Sequence, residues 1–245
     1  HHYGRLAQET QDYAVMIDGL LGPILEVLQD AATHGRQIGA VMTSDHGMSD
    51  LRYLAKIDKA LYDLAPGALL INQGRLMGIN FAPAFSDRQR ADALNAATRL
   101  GGVGLTVGKT RDGLTIYTQT TTHTIRYATS DCGRDGAYAL SINNGTFYCP
   151  SELNKISEQF FYPYFATNIA AYFRAKDAPD ALVLASEETS FGDNLHAHHG
   201  GLTPDEIRVP LLFWNLEFKS AERLPQTFRL LEGFRQPSET SVKDR

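Results

Sequence analysis

Cysteine is scarce in this chain: Cys132 and Cys149 are the only two in 245 residues. They lack the Cys-x-x-Cys spacing of a zinc or redox motif and do not recur near the histidines, so a thiolate metal site is not expected. Two readings stay open, a disulfide of an exported protein or two free thiols. No apolar run approaches the roughly 20 residues of a membrane span, and no signal peptide is visible at the start. Basic charge is in deficit, with 23 Lys and Arg against 28 Asp and Glu and a net charge of -5. Without a basic stripe, neither duplex nucleic acid nor an anionic membrane is expected as a partner. A small phosphate ester stays within reach, because bound metals would supply positive charge locally.

What is present is ample apolar material, 43% of residues, enough for one large domain or a domain with an insertion. From Gln8 to Ala32, Tyr13, Ile17, Leu20, Ile24 and Leu28 recur at three- and four-residue steps. This predicts a long amphipathic helix packed on a sheet, kinked or broken at Pro23 near Gly22. Ile38 to Met42 and Ala181 to Ala185 read as buried strands, the first of a parallel sheet. Between 66 and 130 the character changes. Ala68 to Asn72, Met77 to Phe81, Gly104 to Val107 and Leu114 to Thr118 read as short strands, and Ser86 caps a helix that stops at Gly101-Gly102.

Asp112-Gly113 marks a hairpin tip. From Thr120 to Gly145 the composition reads as loops and hairpins. Phe160 to Phe173 is an aromatic stripe best explained as core. Val209 to Trp214 reads as a final strand that rejoins the sheet, followed by a helix over Pro225 to Phe234 and a frayed polar end.

Two segments carry chemistry. Met42-Thr43-Ser44-Asp45-His46-Gly47-Met48 ends an apolar run in an acid, an imidazole and a glycine, just past a strand's carboxyl end, where open α/β sheets collect ligands. A carboxylate beside an imidazole suits a divalent metal such as Zn²⁺. The plainer alternative makes Asp45 a helix cap and His46 a surface residue. The second segment, His196-Ala197-His198-His199-Gly200-Gly201, leads through Leu202-Thr203-Pro204-Asp205-Glu206 into the last strand and reads as a ligand loop or a solvated histidine-rich loop. His34 and His123 read as structural, and Asp193 as a turn residue or a partner of a histidine.

The Thr-Ser-Asp-His-Gly-Met strand end, the distant His-His-Gly-Gly loop and the opening His1-His2-Tyr3-Gly4, which matches the end of an Asp-x-x-x-Gly-His-x-x-Gly form, together resemble the alkaline phosphatase superfamily. Within it they are most similar to the type I phosphodiesterase and nucleotide pyrophosphatase group, and the resemblance covers the later half of such a catalytic domain. It implies a mostly parallel central sheet flanked by helices over 1–65 and 131–245, with a small α+β cap or insertion at 66–130. It also implies two divalent metals, Zn²⁺ in the first place and Mn²⁺ as the alternative. His1 and His199 would hold one metal and Asp45 and His46 the other, each completed by an Asp outside the chain. His196 and His198 are weaker candidates, and His2 a neighbour. A Thr or Ser nucleophile upstream of His1 is implied, so none of Thr43, Ser44 or Ser49 is promoted to that role.

The activity so implied is metal-dependent hydrolysis of a phosphoric ester, a small or nucleotide-like one, with the missing N-terminal half needed to complete the site and a periplasmic or secreted location. The alternatives are a metal-dependent phosphomutase of the same superfamily and, in another class, a non-catalytic metal-binding or interaction module.

Overall fold

Five consecutive apolar residues, Ala181–Ala185, are all buried, which requires cover on both faces of the strand they form. The computed structural model describes residues 2–36, 38–133, 138–156, 162, 164–192 and 196–215. In chain order the elements are α1 (Gln8–Thr33), β1 (Ala40–Thr43), β2 (Ser49–Asp50), β3 (Tyr53–Leu54), α2 (Asp58–Leu64), β4 (Leu69–Asn72), β5 (Leu76–Asn80) and α3 (Asp87–Ala97). There follow β6 (Val103–Thr110), β7 (Gly113–Tyr117), β8 (Thr122–Thr129), β9 (Tyr138–Ile142), α4 (Pro150–Ile156), α5 (Phe165–Phe173), β10 (Ala181–Ala185), β11 (Thr189–Ser190), β12 (Ala197–His198), α6 (Pro204–Ile207) and β13 (Leu211–Trp214).

The principal sheet has seven strands in the order β4-β5-β10-β6-β7-β8-β9, and every neighbouring pair in it is antiparallel. The protein is thus mixed α/β, but the expectation of a mostly parallel sheet is wrong. β10 lies between β5 and β6, with Val183 opposite Met77 on one side and Thr106 on the other. Its alternation divides the core. Ala181, Val183 and Ala185 join Leu61 of α2 and Leu94 and Ala97 of α3. Leu182 and Leu184 join Leu153 of α4 and Phe165, Ile169 and Phe173 of α5. Helices therefore cover both faces of an antiparallel sheet, and the period of two in a strand decides which residue meets which helix pair.

Local signals place several elements. Ser86 Oγ accepts the N–H of Gln89 at 3.3 Å while Gln89 Oε1 accepts the N–H of Ser86 at 2.9 Å, a reciprocal cap that starts α3. The segment from 66 to 130 is not confined to itself: β6 and β5 pair with β10, and β8 pairs with β9. Residues 120–145, expected as loops and hairpins rather than a packed element, supply the antiparallel pair β8 and β9, in which Ile125 and Leu140 are fully buried. Threonine suits a pleated strand, so the Thr-rich composition misled. Cys132 and Cys149 form a disulfide with Cα atoms 5.5 Å apart, tying the chain after β8 to the start of α4. In the aromatic stripe, Phe165 and Phe173 are core as expected, but Tyr172 is exposed, and Phe160 and Phe161 lie outside the described residues.

The chain divides into two compact units, residues 1–20 with 44–209, and 21–43 with 210–245. In the second, β1 pairs with β13 alone, antiparallel, Val41 opposite Phe213. β1 is not the buried parallel strand expected, since Met42 is 40% exposed, and the last strand does not rejoin the principal sheet. α1 runs through Pro23 without a break, and none of its residues is buried. The stripe expected to be packed is exposed instead, with Leu20 at 63% and Ile24 at 56%, and solvent can satisfy the carbonyl that proline leaves without its helical donor. No helix among the described residues is long and apolar enough to cross a membrane. The helix expected over Pro225 to Phe234 and the polar end lie outside the described residues.

Candidate functional site

His46 is placed by its own backbone neighbours. Its Nδ1 lies 2.8 Å from the carbonyl oxygen of Gly47, and a carbonyl can only accept. The proton therefore sits on Nδ1, and the lone pair of neutral His46 is on Nε2. A backbone carbonyl that fixes the tautomer in this way is the usual support of a metal-binding histidine. Asp45 Oδ1 accepts the N–H of His46 at 3.0 Å, and Asp45 Oδ2 lies 3.5 Å from His46 Nε2. Two ligands about 2.0–2.1 Å from one tetrahedral Zn²⁺ are about 3.3–3.4 Å apart. The observed 3.5 Å is close to that spacing and is equally that of a direct imidazole–carboxylate contact.

His199 comes from the other end of the compact unit and stacks on His46, with ring centroids 3.6 Å apart and an interplanar angle of 17°. Burial pushes its pKa below the ordinary 6.5, and the neighbouring His46 and His198 push the same way, while Asp45 and Glu206 oppose them. Near neutral pH the ring is therefore held in the uncharged form that a metal requires.

Three features join the two loops. β12 pairs with β2, His198 opposite Ser49 and Ala197 opposite Asp50. Ser49 Oγ lies 2.7 Å from Thr203 Oγ1. The N–H of Gly47 donates to the carbonyl oxygen of Glu206 at 2.7 Å. Gly47 must be glycine, because a Cβ there would lie 2.0 Å from the carbonyl oxygen of Asp205. Gly201 is under the same constraint, since its Cβ would lie 2.3 Å from a carboxylate oxygen of Glu206.

The opening segment reaches the same region. The N–H of Arg5 donates to Asp50 Oδ1 at 2.6 Å, and its guanidinium meets Asp205 at 2.7 Å. A Cβ on Gly4 would lie 3.9 Å from the Cβ of His196. His1 itself, and Asp193, lie outside the described residues.

The structure therefore brings Asp45, His46 and His199 together. His198 plays a different part: its Nδ1 is engaged by the backbone of His199, 2.8 Å from the N–H and 2.6 Å from the oxygen, and its Nε2 edge lies where a Cβ on Gly74 would be. His196 is exposed, its carbonyl accepting the N–H of Leu51 at 2.8 Å. His34 bonds the carbonyl of Asp30 at the end of α1, and His123 bonds Thr121 and Asn143. Among the described residues, no three His, Cys, Asp or Glu side chains converge tightly enough to hold a metal by themselves. Compared with protein-family models, curated proteins and solved structures, the chain matches none.

Sequence reasoning passed over Arg75 and Glu206. Their side chains, 1% and 0% exposed, form an ion pair at 2.7 Å. Burial alone would raise the Glu206 carboxyl, but the hydrogen bond and charge of Arg75 and the donors of Thr203 outweigh it and hold the pKa below the ordinary 4.5. The sequence carried little signal for this pair, because Arg75 ends a polar Asn72-Gln73-Gly74 turn between two apolar segments, where a cation is ordinarily solvated.

Proposed function

We propose that this chain forms part of a metal-dependent phosphoric ester hydrolase of the phosphodiesterase and nucleotide pyrophosphatase type. The observation that carries the reading is the meeting of the Asp45-His46 pair with the ring of His199 at 3.6 Å, as a two-metal site with one imidazole on each metal would need. Asp45 and His46 would hold one cation and His199 the other, with His1 as its further ligand. Zn²⁺ suits the mixture of imidazole and carboxylate, and Mn²⁺ is the alternative. When bound, such cations clamp the attacking and leaving oxygens of a phosphate ester and neutralise the charge that develops.

The protein's own residues supply the rest. Gly47 O holds the His46 tautomer, burial keeps His199 neutral, and the two loops fix the separation of the rings. The nucleophile is assigned to a Thr or Ser outside these 245 residues, and the substrate to a small or nucleotide-like phosphate ester. The Cys132–Cys149 disulfide supports an oxidising compartment, periplasmic or secreted. A second reading, a metal-binding module without turnover, rests on the same three side chains, Asp45, His46 and His199.

Zinc binding measured by calorimetry, lost in Asp45→Ala and His46→Ala, and hydrolysis of a chromogenic phosphodiester by the natural full-length protein test the proposal. Binding without hydrolysis selects the second reading, and no binding at all overturns both.

A further inference from the structure

Glu206 uses both ends of its residue to hold the two candidate ligand loops. Its Oε1 accepts from Arg75 Nε at 2.7 Å and from the N–H of Gly201 at 3.3 Å, two residues after His199. Its Oε2 accepts from the N–H of Thr203 at 3.1 Å, from Thr203 Oγ1 at 2.7 Å and from Arg75 Nη2 at 3.4 Å. Its main-chain oxygen accepts the N–H of Gly47, directly after His46.

Arg75 ties this group to the principal sheet. It directly precedes β5, and its Nη1 donates to the carbonyl of Ser186 at 2.7 Å and to that of Thr189, both just beyond β10. Next to it, Gly74 at φ +77 lies against the ring of His198, leaving no room for a Cβ. The turn between β4 and β5 therefore meets the histidine loop directly through the backbone of Gly74, and the Arg75 guanidinium reaches it by way of Glu206.

A buried ion pair is a poor way to gain stability, since apolar residues of similar volume often do as well, but it fixes geometry. We infer that Arg75 and Glu206 are positioning residues that set the separation of the His46 and His199 rings. Both side chains are buried away from solvent. The significance of that separation for a metal rests on the hydrolase reading above, whereas the separation itself does not.

The test uses the full chain, isotopically labelled, with two variants. Arg75→Met with Glu206→Met removes both charges together. Gly201→Ala keeps the ion pair but drives a methyl group onto its carboxylate. The nuclear Overhauser effect between the His46 and His199 ring protons reads their separation, competition with a chromophoric chelator reads Zn²⁺ affinity, and a thermal melt reads stability. The expected result is loss of the ring contact and at least a tenfold loss of zinc affinity in variants that still melt cooperatively. A ring contact and zinc affinity within twofold of wild type, whatever the melting temperature does, overturns the inference by showing that the pair is merely structural. If the double variant fails to fold, Gly201→Ala decides by the same criteria. If the wild-type chain binds no zinc, the hydrolase reading fails, and the ring contact alone decides the inference.

Discussion

Replacing Arg75 with Met should be among the most damaging single changes in the protein, and its cost should depend on pH in a defined sense. The guanidinium is 1% exposed and its partner carboxylate 0% exposed, so the variant leaves Glu206 buried with only the donors of Thr203 and Gly201. Removing one partner of a buried pair costs about 3–5 kcal/mol, a large share of the roughly 5–15 kcal/mol that holds a typical domain folded. In melting temperature this is a drop of about 6–20 °C for a protein of this size.

In the wild type the Glu206 pKa is depressed below 4.5, so its ionised form contributes stability above that value, and the contribution is lost as pH falls through the folded pKa. In the variant burial prevails and the pKa rises, so folding is penalised increasingly as pH climbs above the unfolded value. The melting temperatures of the two proteins should therefore lie farther apart at pH 7 than at pH 4. The other carboxylates titrate alike in both and cancel in the difference. An equal or narrower gap at pH 7 would refute the assignment of Glu206 as a charge held by Arg75.

Zinc affinity should fall as the medium is acidified below pH 6.5, because His199 must be neutral to donate and protonates somewhat below its ordinary value; calorimetric titrations at pH 7.5 and 5 check this. Gly74→Ala, at φ +77 and against the His198 ring, should cost roughly 1–3 kcal/mol in a denaturant melt and displace that ring. Reduction of Cys132–Cys149, which closes a loop of 17 residues in sequence separation, should lower stability by about 3 kcal/mol, visible as a lower melting temperature in dithiothreitol. Phe165→Ala, at a fully buried position, should cost about 3–5 kcal/mol while leaving zinc affinity of the folded protein unchanged.

Periodicity and capping residues are local, so much could be decided residue by residue from the sequence alone. The apolar run Ala181 to Ala185 had to be a strand covered on both faces, Ser86 had to start a helix because Gln89 stands three residues on, and the repeat along α1 had to wind as a helix. Strand direction was not decidable in this way. A strand sandwiched between helix layers is apolar throughout whether its neighbours run parallel or antiparallel, and only the closing of β10 between β5 and β6 chose the latter. The Thr-rich β8 was hidden because composition speaks for turns while its pairing with β7 and β9 depends on partners supplied by the fold.

The candidate site divides similarly. Asp45 and His46 could be singled out as an acid and an imidazole following an apolar strand, and His199 through the resemblance that its His-His-Gly-Gly loop carries. That they meet, and that Arg75 and Glu206 hold them there, was left to the tertiary structure. A buried charge declares in the sequence only that it needs a counter-charge, and long-range folding alone determines which residue supplies it.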